Sequence, residues 1–172
     1  MLVTFVTGSI HSFSIFLAPL EQLLQLPRAK ISLIYSFALV FLTLSVLLGY
    51  LVYEKVRPGT MVALACTGAA AGLLVSSLGT SYWLIFAGYS ILFGSFNGLA
   101  YGYVLQLSGR ALPDHRGFAM AAVTAAYAVG SVVFSIVLAQ LVERASLSTS
   151  LAAMGGIILA SGGAAAVLLH KA

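Results

Sequence analysis

Three side chains in this sequence could hold a solute by hydrogen bonding while sitting where polar groups are costly: His11, Asn97 and Tyr101. Asn97 and Tyr101 belong to the stretch Gly94-Ser-Phe-Asn-Gly-Leu-Ala-Tyr-Gly102 and lie one helical turn apart, so they share a face. Beside that face Gly94, Gly98 and Gly102, at spacing four, make a flat stripe that another helix can approach closely. The surrounding run is apolar and long enough to span a membrane, and an amide or a phenol in hydrocarbon must find a partner. The chemistry available is therefore recognition: an amide, a phenol and an imidazole offering donors and acceptors along a polar path. His11 falls near the middle of the first apolar segment and is the one titratable group expected in the bilayer core. An ionisable residue at that depth is a candidate functional residue.

Bond-making chemistry has no comparable support. The sequence contains no Gly-x-Ser-Gly nucleophile, no carboxylate pair and no His-Glu-x-x-His site, so an enzyme is not expected. Cys66 is the sole cysteine, which excludes an intrachain disulfide and a thiolate metal site; no metal and no cofactor is expected. No Asp, Glu, Lys or Arg lies in the middle of an apolar run, so a carboxylate proton relay is missing. An anion would have to be met by His11, hydroxyls and dipoles, or by a cation from elsewhere.

The elements that carry these residues follow from composition. Of 172 residues, 61% are hydrophobic and 7% charged, with mean hydropathy +1.09; a soluble domain has about 25% charged residues. The net charge of +4 sits in short breaks between apolar runs and reads as topology signalling and lipid contact, not as a nucleic-acid surface. Six apolar segments, approximately 2–24, 30–53, 59–79, 81–107, 116–142 and 147–170, are each long enough to cross a core of ~30 Å. The first lacks a basic n-region and a small-residue cleavage site and is read as a retained span. With Met1 inside, Lys55, Arg57, Arg110, Arg116 and Lys171 oppose Arg28, Lys30 and Arg144 outside, which predicts both termini on the cytoplasmic side of a cell membrane.

The chain also repeats. Leu26-Pro27-Arg28-Ala29-Lys30 and Leu112-Pro113-Asp114-His115-Arg116 open the second and fifth segments at an offset of 86 residues. Glu54-Lys55 and Glu143-Arg144 close them at an offset of 89. Three spans is an odd number, so two such triplets, about 1–79 and 80–172, enter the membrane from opposite sides as an inverted repeat within one bundle. Polar stripes mark the first (Thr7, His11, Ser14, Ala18), second (Ser32, Tyr35, Ser36, Thr43), fourth (Ser90, Asn97, Tyr101) and fifth segments (Thr124, Tyr127, Ser131, Ser135). The third and sixth offer Gly68-x-x-x-Gly72, Gly155-Gly156 and Gly162-Gly163 for tight packing. The expected arrangement is a path lined by segments one, two, four and five, with three and six behind. Any single Ser or Thr is more often bonded to its own helix than functional. His115 and His170, at span ends, are expected to be solvated.

These residues resemble a family. Gly8-Ser-Ile-His-Ser-Phe-Ser-Ile-Phe-Leu-Ala-Pro19-Leu20 and Leu26-Pro-Arg-Ala-Lys-Ile-Ser-Leu-Ile-Tyr35-Ser look like the opening of major facilitator superfamily transporters. The oxalate/formate antiporter and monocarboxylate transporter branches are the most similar. Pro113-Asp-His-Arg116-Gly117-Phe-Ala119 and the Gly94–Gly102 stretch resemble the loop before helix five and the glycine-rich helix four of those branches. The resemblance implies an all-helical membrane protein equal to the N-terminal half of a twelve-helix fold, with a rocker-switch mechanism. A small solute, a monocarboxylate or similar organic anion, would be held at midplane between this bundle and a second one. Gly49, Leu51 and Arg57 keep their places in the superfamily pattern Gly-x-Leu-x-Asp-Arg-x-Gly-Arg, while Tyr53, Glu54 and Val56 replace its Asp, Arg and Gly. Glu54 is a shifted partner for some basic residue on this reading. The helix-four Arg of proton-coupled members is absent.

The expected function is transmembrane transport by alternating access. His11 and Asn97 would donate to the solute, with Ser14 beside them, and Tyr35, Tyr101 and Tyr127 would shape the cavity. Gly49, Glu54, Arg57 and Arg116 would serve gating or topology. The alternative is a non-transporting membrane protein, a truncated half or an assembly partner, in which the polar stripes only tie helices together.

Overall fold

The computed structural model describes residues 1–171, with side chains through Leu169. The His170 and Lys171 side chains, expected at the last span's end, and Ala172 lie outside that description. The described residues are all helical or in short connections, with no strand among them. Six helices of membrane length run α1 (Leu2–Leu24), α2 (Arg28–Leu48), α3 (Pro58–Ser77), α4 (Tyr82–Ala111), α5 (Pro113–Arg144) and α6 (Leu147–Lys171). The helix breakers are those the sequence offers. Gln25 adopts the left-handed conformation after α1 (φ 52°), Pro27 and Arg57 are extended before α2 and α3, and the Ser81 hydroxyl caps α4. The second apolar segment does not continue to Tyr53 as one helix: α2 ends at Leu48, and Tyr50–Tyr53 forms a separate turn. Conversely α4 and α5 run past the apolar core into the polar loop that separates them.

Two local departures from α geometry flank the residues of interest. Within α1, Gly8–Phe16 winds as a 3₁₀ helix; within α4, Phe86–Phe93 widens into a π helix. Such stretches usually stay short because their hydrogen-bond geometry is poorer, so neighbouring groups must support them. Tyr89, on the π stretch, donates its hydroxyl to the Ile10 carbonyl (3.0 Å), and Asn97 donates to the Thr7 carbonyl (2.7 Å). Side chains of α4 thus hold backbone carbonyls three residues apart on α1. From the same wide turn Ser90 reaches the Ile34 carbonyl of α2 (2.6 Å).

The helices form two kinds of interface. At the back, α3 and α6 pack extensively, Gly155 lying over Ala70, Leu73 and Leu74 and Gly162 over Cys66; Cys66, Ala70 and Leu73 are buried there. At the front, α1 packs on α5 and α4 on α2 through close backbone crossings. Gly8 lies against the Tyr127 carbonyl and Gly130 against Phe5, leaving no room for a Cβ; Gly94 lies against Ala38 and Gly98 against Leu42. Ser12 donates to the Ser131 carbonyl (3.2 Å).

These crossings correspond pairwise. Gly8 and Gly94, and Ser12 and Gly98, are each 86 residues apart, while their carbonyl partners Tyr127 and Ala38, and Ser131 and Leu42, are each 89 apart. Those are the two offsets at which the loop sequences repeat.

The ends of the bundle are clasped by ion pairs. Glu21 and Arg28 join α1 to α2 with two parallel hydrogen bonds (2.9 and 3.0 Å), and Glu54 pairs with Arg110 (3.0 Å), joining the α2–α3 connection to α4. Trp83 stands exposed beside Tyr82, over whose ring Lys30 places its ammonium at 5.3 Å. That grouping suits the water–lipid boundary, where amphipathic rings and long cationic side chains collect.

Candidate functional site

On a surface otherwise dominated by exposed Leu, Val, Ile and Phe, one polar cluster opens outward where α1, α2, α4 and α5 converge. His11 is exposed on α1, and its Nδ1 lies 2.7 Å from the Tyr35 hydroxyl of α2. The His11 ring meets the Tyr127 ring edge-on at 5.4 Å. The Tyr127 hydroxyl donates to Asn97 Oδ1 (3.1 Å), and the Tyr127 ring packs against Tyr101 at 4.7 Å. Tyr101 in turn meets Thr124 Oγ1 at 3.1 Å. Four helices therefore contribute to one continuous chain of contacts: Tyr35, His11, Tyr127, Asn97 and, by a branch, Tyr101 and Thr124.

The depth of each member differs from what spacing alone suggests. Asn97 has no exposed surface; its amide is shared between the Thr7 carbonyl and Tyr127, so it stands behind the cluster and not at its mouth. His11 and Asn97 do not touch; the Tyr127 side chain bridges them. They are nonetheless 86 residues apart, one of the two offsets at which the loop sequences repeat. Tyr127 is buried, Tyr35 and Tyr101 are half-buried, and Ser14 is exposed one 3₁₀ turn from His11. Thr7, grouped by α-helical spacing with His11, is fully buried and bonded to its own helix. The 3₁₀ winding is the reason. It advances about 20° more per residue than an α helix and rotates the exposed face away from the position an α pattern gives. Ser32, Ser36, Thr43 and Thr124 donate to their own i−4 carbonyls, the ordinary behaviour of hydroxyls in apolar helices.

Some participants carry no signal in spacing. Tyr89 reads as one more aromatic in an apolar run, yet it ties α4 to α1 and packs against Phe13 at 4.9 Å. Phe13 stacks on Tyr35 at 5.7 Å with the rings 10° apart, fixing the phenol that faces His11. Only a buried-aromatic count on α1 and α4 could have drawn attention to these residues.

At the end that carries the α2–α3 connection, Gly49 matters for what it admits. The Tyr53 ring folds back over it and over Gly102, and the Tyr53 hydroxyl donates to the Leu99 carbonyl of α4 (3.3 Å). Burial pushes this phenol up to about 12, so it remains a neutral donor at any ordinary pH. Where the family pattern has an Asp, the chain thus has a phenol latch, with the Glu54–Arg110 pair beside it. Arg57 is exposed and precedes Pro58 at the start of α3. Arg116 is also exposed and lies across Gly109, its Cγ and Nε about as close as a Cβ there would tolerate (3.2 and 3.3 Å). A polar hollow of about 440 Å³ bounded by Gln106, Gly109, Arg110, Pro113 and Arg116 opens at this end. No group of three or more His, Cys, Asp or Glu able to hold a metal occurs among the described residues.

No family model matches the chain. Over 94 residues, 55% of its length, the chain is 27% identical to an MFS-type transporter of Aspergillus fumigatus, and the match covers 22% of that protein. The aligned part is thus about a fifth of the relative's length. The chain thus has six apolar helices of membrane length, as a multi-pass membrane protein does, and part of it is similar to an MFS-type transporter.

Proposed function

We propose that the chain forms one half of a secondary transporter. It would move a small organic anion, a monocarboxylate or a solute exchanged for one in antiport, by alternating access. The observation that carries the reading is the convergence of His11, Tyr35, Tyr101, Tyr127 and Ser14 at one opening on an otherwise apolar surface. Polar groups facing lipid would be left without partners, so this face requires either a solute-filled cavity or a second protein surface, and alternating access supplies both in turn. His11 and Ser14 meet the solute, Tyr35, Tyr101 and Tyr127 shape its cavity, and Asn97 acts from behind by fixing Tyr127. A second six-helix bundle, another copy of the chain or a separate half, closes the cavity from the other side. The much longer relative is consistent with such a partner.

The paired crossings at offsets of 86 and 89 support two inverted triplets as the frame of this half. The phenol latch and the Glu54–Arg110 pair lie at the end that the lysine and arginine count assigns to the cytoplasm of a cell membrane, with both termini there. Gly49, Glu54, Arg57 and Arg116 belong to this gate side and not to the solute site.

The test is counterflow of labelled oxalate, formate and lactate in proteoliposomes, comparing wild type with His11→Ala. Loss of one hydrogen bond to a charged solute lowers uptake about tenfold or more. Uptake that proceeds unchanged in both His11→Ala and Asn97→Ala would remove the cavity assignment and leave the cluster as a tie between helices.

A further inference from the structure

We infer that Tyr35 is a positioning residue that holds neutral His11 in the Nε2–H tautomer, so that His11 Nε2–H and Ser14 Oγ–H are the two donors the cluster offers outward. The first part of this inference concerns the resting protein alone; the second rests on the reading that the opening receives a solute.

Proton accounting leads there. The Tyr127 proton goes to Asn97 Oδ1, and the Thr124 proton goes to the Met120 carbonyl (3.1 Å). Thr124 Oγ1 then has only lone pairs left for Tyr101, so the Tyr101 hydroxyl must be the donor in their 3.1 Å contact. Ser131 gives its proton to the Ala128 carbonyl and Ser36 to the Ser32 carbonyl. Each of these hydroxyls has spent its donor and keeps only lone pairs.

The Tyr35 hydroxyl has a single partner among the described residues, His11 Nδ1. If Nδ1 carried the ring proton, the half-buried phenol would keep an unpaired O–H, and bare Nε2 would face outward. If the phenol donates, the buried side is satisfied and the one open donor, Nε2–H, belongs to the exposed ring. An unmet donor costs most where solvent cannot reach it, so the second arrangement wins. Stacking on Phe13, itself buried against Tyr89, keeps the phenol from turning away.

The Ser14 carbonyl accepts from the Leu17 N–H, while its hydroxyl makes no hydrogen bond among the described residues and the residue is exposed. It follows His11 by three residues within the 3₁₀ stretch, so the two side chains are eclipsed, about 6 Å apart along the axis. Two donors in line favour an oxyanion bridging His11 and Ser14, while the lone pairs of Tyr101 and Thr124 nearby suit donor groups on the rest of the same solute.

The experiment is ¹⁵N NMR of histidine-labelled protein in bilayers, about two pH units above the ordinary imidazole value of ~6.5, with His11 identified by subtracting the His11→Gln spectrum. In wild type the protonated, pyrrole-type nitrogen is expected to be Nε2. In Tyr35→Phe the two nitrogens should move toward averaged positions as both tautomers populate. A pyrrole-type Nδ1 in wild type, or an unchanged His11 spectrum in Tyr35→Phe, overturns the inference, and the wild-type spectrum decides even if the variant fails to fold. In parallel, Tyr35→Phe should lower counterflow of a carboxylate about tenfold, with a smaller loss in Ser14→Ala. Absence of any wild-type counterflow would sink the transport reading and leave the tautomer assignment to the spectra.

Discussion

The back of the bundle and its front solve the same problem in different ways. Between α3 and α6 the helices approach through small residues, and the polar atoms of Ser76 and Ser150 are satisfied within their own helices. Between α1, α2, α4 and α5 the contacts are directional: Asn97 to Thr7, Tyr89 to Ile10, Ser90 to Ile34, Ser12 to Ser131. In hydrocarbon neither design is driven by the hydrophobic effect between helices. Apart from the Ser148 hydroxyl, which donates to the Ser77 carbonyl where α6 begins and α3 ends, the back gains dispersion contacts that depend on fit. The front uses hydrogen bonds that fix azimuth and register, which is what a cluster of oriented donors and acceptors requires. Small-residue packing makes a support; hydrogen bonds to neighbouring backbones make a site.

Substitutions can break this contrast. The largest loss is expected from Gly130→Ala, whose added methyl would occupy the space of the Phe5 backbone at the α1–α5 crossing. Backbone cannot turn aside as a side chain can, so a loss of about 3 kcal/mol or more is expected in thermal unfolding of the purified protein. Gly162→Ala at the back would meet the Cys66 side chain and cost about 1–3 kcal/mol. Combining it with Cys66→Gly should recover most of that loss, because the obstacle is one small side chain; no recovery would mean the back is not held by fit. Asn97→Leu removes both ties of the front amide and should cost about 1–2 kcal/mol. It should also disturb the Tyr127 and His11 signals, whereas a back substitution of equal cost leaves them in place. The smallest effects belong to the exposed end. Glu54→Gln, whose pair with Arg110 is well solvated, should change stability by less than about 0.5 kcal/mol. Tyr53→Phe, which loses a buried donor to Leu99, should cost more than that, and a reversed order would make the ion pair the true latch.

Much of this was written in the residues. Hydropathy and charge placement give six spans, because a bilayer admits little but apolar helices of about 20 residues. Gly94, Gly98 and Gly102 mark a close approach because nothing else in the run lacks a Cβ at that spacing, and they do line α2 and Tyr53. Loop offsets of 86 and 89 reappear as the offsets between helix crossings. The division into polar and small-residue helices is also legible, since it is a matter of residue type.

Partnership was not legible. Spacing says that His11 and Asn97 lie on helix faces; it cannot say that His11 meets Tyr35, that Asn97 is enclosed, or that Tyr127 stands between them. Thr7 and His11 share a face only if α1 keeps α geometry, and whether it does depends on Tyr89 and Asn97 holding its carbonyls from α4. Local periodicity fixes the direction in which a side chain leaves its own helix. Only the packed bundle fixes how each helix is wound and turned, and therefore which backbone or ring stands opposite.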